Sequence, residues 1–199
     1  MKIIAALAMV GAANAAIYNR KCQEPDVVQN LDIEAYLGLW YEMIRDKDTN
    51  YESGYCDTAS YSLRDEPNNI RVRNNDWYYE EGVWGGGVGT AFQVDPSKDD
   101  GYLKVKFVPA IPAGDYKILD TDYDNFTLLY SCIGVGPFFA KEYVWVLARD
   151  PIAIRDDDVT KSRIMNKLKE QIPLYDIFEN GYVTPQAPEY PCPYDSQPE

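Results

Sequence analysis

Period-two alternation of apolar and polar residues recurs between turn signals along this 199-residue chain, and it limits the fold more than any other feature. In Leu103-Lys104-Val105-Lys106-Phe107 the lysines must face water if the apolar residues face a core, as in a half-buried antiparallel strand. The same reading places eight strands at about 39–45, 56–63, 69–75, 88–94, 102–107, 115–122, 126–132 and 142–149. Eight consecutive antiparallel strands predict an all-β, up-and-down β-barrel, because closure removes the unpaired edges and leaves room inside for one small ligand.

In such a barrel every second connection lies at the same end. One set here is short and polar: Arg64 to Asn68, Asp95 to Asp100, and Asp122 to Asn125, all rich in turn formers. The alternate set is longer and greasier, running through Trp77 and Trp84, Val108 to Pro112, and Ile133 to Phe139. One end is therefore expected to be closed and wet, and the other to offer aromatic lips formed by Trp77, Trp84, Ile111, Phe138 and Phe139. After the barrel, Asp156-Asp157-Asp158 supplies an N-cap and an acidic first turn. Val159, Ile164, Met165, Leu168 and Ile172 then recur at helical spacing up to Pro173, which predicts one C-terminal helix packed on the barrel wall. Tyr182-Val183-Thr184 is expected to lie back along the barrel as a short strand.

Composition narrows the function. The net charge of −13, with no Lys/Arg cluster, argues against nucleic acid and against attraction to anionic membranes. With no histidine, His-based metal sites and Ser-His or Cys-His catalytic pairs are excluded. Lys2, the apolar run Ile3 to Val10 and Ala13-Asn14-Ala15 read as a secretory leader over 1–15, which leaves one domain over 16–199. That run is too short to span a bilayer, and the product is expected to be secreted. Four cysteines in an oxidising compartment predict two disulfides, for which three pairings are open.

Three patches then stand out at fixed order: Gly38-Leu39-Trp40-Tyr41-Glu42, Thr121-Asp122-Tyr123, and Arg149 at the end of Tyr143-Val144-Trp145-Val146-Leu147-Ala148-Arg149. Together they resemble the lipocalins. Cys22-Gln23-Glu24-Pro25, Leu129-Tyr130-Ser131-Cys132 and Trp145 to Pro151 extend the likeness to the apolipoprotein D-like subgroup, with its bacterial and insect members. The resemblance implies that Trp40 closes one barrel end with Arg149 stacked across it, and that Cys22 pairs with Cys132 and Cys56 with Cys192. A Gly-rich stretch, Gly85-Gly86-Gly87-Val88-Gly89, departs from the likeness and has no assigned role in the cup.

If Arg149 meets Trp40, strand parity turns Tyr143, Trp145 and Leu147 into the cup. Leu103, Val105 and Phe107 follow from their lysine neighbours, and Tyr61, Leu63, Tyr116, Ile118, Phe92 and Ile44 complete the expected wall. Some of the 17 tyrosines are expected to present hydroxyls to a ligand's polar group. The resemblance implies a carrier of a small hydrophobic molecule of the fatty acid, sterol, retinoid, bilin or carotenoid class, with no cofactor, no metal and no catalytic residues. The rival readings are an enzyme of the same fold acting on an apolar substrate, and an interaction protein with an incidental cup, whose aromatic open-end loops bind a protein or make weak contact with a lipid surface. Asn125-Phe126-Thr127 is a glycosylation sequon in the closed-end turn.

Overall fold

A computed structural model describes residues 17–49 and 51–198, so the expected leader lies outside the described residues. The alternation becomes eight antiparallel strands: β1 Gly38–Asp46, β2 Tyr55–Leu63, β3 Ile70–Tyr78, β4 Val83–Gln93, β5 Tyr102–Lys106, β6 Gly114–Thr121, β7 Phe126–Val135 and β8 Phe139–Ala148. Each pairs with its sequence neighbour, β8 pairs with β1, and β1 pairs with β2, so the barrel is closed. A short strand β9, Gly181–Val183, adds to β1 outside the ring.

β3 and β4 run further toward the open end than the alternation indicates, with Trp77 opposite Trp84 and Tyr78 opposite Val83. This corrects the expected lips. The Trp77 and Trp84 rings pair at 5.4 Å, Trp84 Nε1 donates to Ser196 Oγ, and the Trp84 ring stacks on Tyr194. Both indoles thus belong to the outer wall under the C-terminal segment. Ile111, Phe138 and Phe139 remain exposed around the mouth.

Two apolar clusters explain which strands alternate cleanly and which do not. The inner one fills the barrel around Trp40, Tyr61, Val72, Leu103, Ile118 and Leu129. The outer one lies on β7 and β8, where Phe126, Leu128, Tyr130, Val144 and Val146 are covered by the helix α2, Asp158–Gln171. Asp157 caps α2 by accepting from the amides of Val159 and Thr160. Ile164, Leu168 and Ile172 face the barrel, whereas Val159 is exposed and contributes nothing to that face. Strands buried on both sides lose alternation and read as continuous apolar runs, as Phe126 to Tyr130 does.

β1 parts from β2 beyond Tyr41, their last paired position being Tyr41 with Thr58. The chain after β9 fills the gap: Thr184 N donates to Met43 O, Cys56 N to Pro185 O, and Gln186 Nε2 to the carbonyls of both Glu42 and Asp57. Disulfides Cys56–Cys192 and Cys22–Cys132 tie the C-terminal and N-terminal segments to the wall. Each closes a loop of over a hundred residues, at separations of 136 and 110, a constraint on the unfolded chain of about 2–4 kcal/mol apiece.

Candidate ligand cavity

The closed end is sealed from the sequence patches upward. A one-turn helix, α1 Ile33–Tyr36, leads into Gly38, whose φ of +94° places its Cα against Arg149, so that a Cβ there would lie 3.3 Å from Nη1. Trp40 is fully buried and donates Nε1 to Tyr36 O at 2.9 Å. The Arg149 guanidinium lies 3.7 Å above the indole. It also donates to the carbonyls of Tyr123, Leu39, Ala35, Tyr36 and Leu37. Thr121-Asp122-Tyr123 forms the β6–β7 turn: Asp122 Oδ1 accepts from the Asn125 and Phe126 amides, and Thr121 Oγ1 donates to Phe126 O. All of these groups brace chain ends to one another and leave no face for a ligand.

Above this floor lies a layer of phenols. Tyr116 Oη is 2.9 Å from Tyr36 Oη and 2.8 Å from Tyr61 Oη. Burial pushes Tyr61 and Tyr116 well above the ordinary phenol range, so the layer is neutral and hydrogen-bonded within itself.

Over the phenols opens a cavity of about 220 Å³. Its apolar side is made by Leu129, Tyr143, Trp145 and Leu147 from β7 and β8, with Val105 from β5 and Phe107 just beyond it. Tyr143 and Trp145 stack at 5.7 Å. The Gly-rich stretch of β4 seats Phe107: a Cβ on Gly89 would fall 2.9 Å from the Phe107 ring and 2.7 Å from Lys106 O.

The opposite side is acidic. Glu42, Asp57 and Asp76 line it from β1, β2 and β3, and Glu52 reaches in from the β1–β2 connection to accept from Trp145 Nε1 at 2.9 Å. A single guanidinium serves this wall. Arg45 Nη1 donates to Glu42 Oε1 at 2.9 Å, Asp57 Oδ2 at 2.6 Å and Thr184 Oγ1 at 3.3 Å. Burial first, and then the neighbouring Glu42 charge, push Asp57 up to about 8 and Glu52 well above the carboxylate range. Glu42 is raised by burial as well, against the pull of Arg45. Asp57 Oδ1, Asp76 Oδ2 and Asn74 Oδ1 are buried and accept no hydrogen bond among the described residues. Leaving a buried acceptor unmatched costs about 1–3 kcal/mol.

Of the expected wall residues, Tyr143, Trp145, Leu147, Val105, Phe107, Tyr61 and Tyr116 border the cavity. Leu103 and Ile118 point inward but are packed in the inner core, away from the open space. Three expectations are corrected. A β-bulge between Glu42 and Ile44 reverses parity and turns Ile44 onto the outer cluster. Ala91 is the inward residue of its pair, so Phe92 faces outward. Leu63, at the end of β2, is 57% exposed beyond the floor.

The acidic wall was missed by sequence reasoning. Glu42 shares parity with Trp40 and could have been placed inside. Asp57 sits at a second bulge, between Tyr55 and Thr58, that no local signal announces.

A sealed floor, a closed wall and an internal cavity with a mouth at one end define a β-barrel binding protein. The family model for the lipocalin-like domain matches residues 31–177, and the chain belongs to the lipocalin family, whose members bind small hydrophobic ligands. Apolipoprotein D of Mus musculus is 40% identical over 131 residues, which is 66% of this chain and 67% of that protein. The Lazarillo protein of Schistocerca americana is 29% identical over 174 residues, 85% of this chain and 78% of that protein. Among solved structures, lobster apocrustacyanin A1 superposes with a TM-score of 0.72 at 20% identity, covering 91% of this chain and 96% of that one, a likeness of fold.

Proposed function

We propose that this protein is a secreted carrier that holds one small, largely apolar molecule in the barrel cup. The observation that carries the reading is the cavity of about 220 Å³ left between a phenol layer and an aromatic wall inside an otherwise filled barrel. Binding is driven by moving apolar ligand surface out of water, at about 25 cal/mol per Å², with a few polar groups fixing orientation. The rings of Tyr143, Trp145 and Phe107 and the side chains of Val105 and Leu147 supply the apolar contact, and Tyr61 and Tyr116 form its base. With no histidine and all four cysteines in disulfides, a thiolate nucleophile and a histidine-activated serine both lack their reagent. Paired cysteines and relatives such as apolipoprotein D support secretion. Among the described residues no helix is long and apolar enough to cross a membrane. Exposed Ile111 and Phe138 at the mouth support a second, weaker contact with a lipid surface during loading or release.

Trp145 reports on the cup. A ligand entering it should quench tryptophan fluorescence, and Trp145→Ala should weaken binding by about 1–3 kcal/mol. A panel of fatty acids, sterols, retinoids, bilins and carotenoids, titrated into parent and mutant, checks this. If no member binds the parent below the micromolar range, the carrier reading fails.

A further inference from the structure

The polar side of the cup has a definite chemical bias. Five carboxylates border it: Glu42, Glu52, Asp57, Asp76 and Asp115. Three cations stand near them, and each is already engaged. Lys104 is paired with Asp115 at 2.9 Å, and Arg45 is divided between Glu42 and Asp57. Lys141, at the mouth, lies over the Tyr143 ring and donates to the carbonyl of Asp48. Glu52 and Asp76 are left without a cationic partner among the described residues. The charge deficit coincides with the hydrogen-bond deficit. Asp57 and Asp76, each more than nine-tenths buried, both border the cavity, and each has one oxygen that accepts nothing.

Such a wall discriminates among ligand head groups. A carboxylate brings only acceptors and a negative charge to a wall that already crowds carboxyl groups together, and the cation nearest to them, Arg45, is spent on Glu42 and Asp57. A hydroxyl donates one hydrogen and no charge. A protonated amine carries the missing positive charge and donates three hydrogens, enough in number to serve both orphan oxygens. A metal ion is a poor match: among the described residues no group of three or more His, Cys, Asp or Glu is placed to hold one.

We propose that the cup selects a compact apolar molecule bearing a protonated amine, its head on Asp57 Oδ1 and Asp76 Oδ2 and its body against Trp145, Tyr143 and Phe107. This rests on the carrier reading and narrows it. The elevated affinity of Asp57 for its own proton, caused by burial and by the adjacent Glu42, has the same origin: that corner lacks positive charge, and a ligand cation supplies it. The small cavity is consistent with a short ligand body.

The test uses three probes with one skeleton, 4-phenylbutylamine, 4-phenyl-1-butanol and 4-phenylbutyrate, titrated into the disulfide-bonded protein by calorimetry near neutral pH. The amine should bind at least tenfold more tightly than the alcohol, and the carboxylate more weakly than either. Asp76→Asn should cut amine affinity at least fivefold while leaving alcohol affinity within twofold. Glu52→Gln, on the loop side of the same wall, is the second variant should Asp76→Asn melt early, and it should act in the same direction. If the alcohol or the carboxylate binds as tightly as the amine, or both variants weaken amine and alcohol equally, this inference is overturned and the carrier reading stands. If none of the three probes and no member of the lipid panel binds, both fall together.

Discussion

At the closed end of the barrel one guanidinium, that of Arg149, finds five carbonyl oxygens, whereas at the open end Asp57 Oδ1 and Asp76 Oδ2 find no donor among the described residues. Both regions bury charge, and burial is tolerable only where the charged group is matched. The floor is matched by its own chain and is therefore a structural device. The wall is not, and the missing partners have the chemistry of a ligand. Polar groups inside one barrel thus serve two purposes, told apart by whether their hydrogen-bonding capacity is used up.

The difference can be broken at its strongest point first. Next to Asp57 on the wall side is the Cys56–Cys192 bridge, which holds the C-terminal segment in the gap where β1 leaves β2. Replacing both cysteines with serine should lower stability by about 2–5 kcal/mol, measured by urea unfolding. The loss should be accompanied by earlier protection loss at Glu42 to Asp46 in hydrogen exchange, while the Trp40 region stays protected. Uniform loss across the barrel would show that the two regions are not separable.

Next in size is Arg149→Ala, expected to cost about 2–3 kcal/mol because several charge-assisted hydrogen bonds and the indole contact vanish together. Ligand preference should be unchanged. A variant that melts with the parent but ranks ligands differently would move Arg149 from the floor into the binding site.

The two regions should also respond to pH with opposite sign. The Asp57 carboxyl sits at about 8 in the folded protein, against about 3.9 in an unfolded chain. Between those values the folded state keeps a proton that the unfolded state has lost, so this contribution to stability is full below about pH 4 and is lost as pH rises through about 8. Asp122 behaves in the reverse way. Its burial would raise it, but hydrogen bonds from the Asn125 side chain and the Phe126 and Asn125 amides outweigh that and hold it below the usual range. Its contribution is present above about pH 4 and disappears as pH falls further. Melting temperatures across this range should show Asp57→Asn flattening the alkaline limb and Asp122→Asn flattening the acid limb. An Asp57→Asn variant with the parent's alkaline slope would mean that the wall carboxylates titrate normally.

The same contrast explains what was legible in the sequence. The floor is written in short contiguous patches, since Gly38-Leu39-Trp40 and Thr121-Asp122-Tyr123 act through their own backbone and turn geometry. The Trp145 side of the cup was reachable by parity, because β8 runs without interruption from Phe139 to Ala148. The acidic wall was not reachable. It depends on two bulges, in β1 and β2, and on a C-terminal segment that returns to brace the resulting gap. Ile44 was misplaced for that reason, one extra residue having reversed every later side chain in β1. Phe92 was misplaced because an apolar residue beside an inward alanine looks like the one that should be buried.

The smallest effect belongs to the sequon. Asn125 is exposed in the β6–β7 turn, and its Nδ2 donates to Asp122 Oδ2 at 2.9 Å. A glycan attached at Nδ2 leaves that nitrogen one hydrogen, so the bond to Asp122 can persist and the turn need not rearrange. The sugar would project from the sealed end, with the Trp40 and Arg149 layer between it and the cavity. If the protein is made in a eukaryotic secretory pathway, we expect Asn125 to be modified, and enzymatic removal of the glycan to change ligand affinity by less than about 0.5 kcal/mol. Ligand titration before and after deglycosylation checks this, and a glycan that blocked uptake would place the mouth at the end assigned here to the floor.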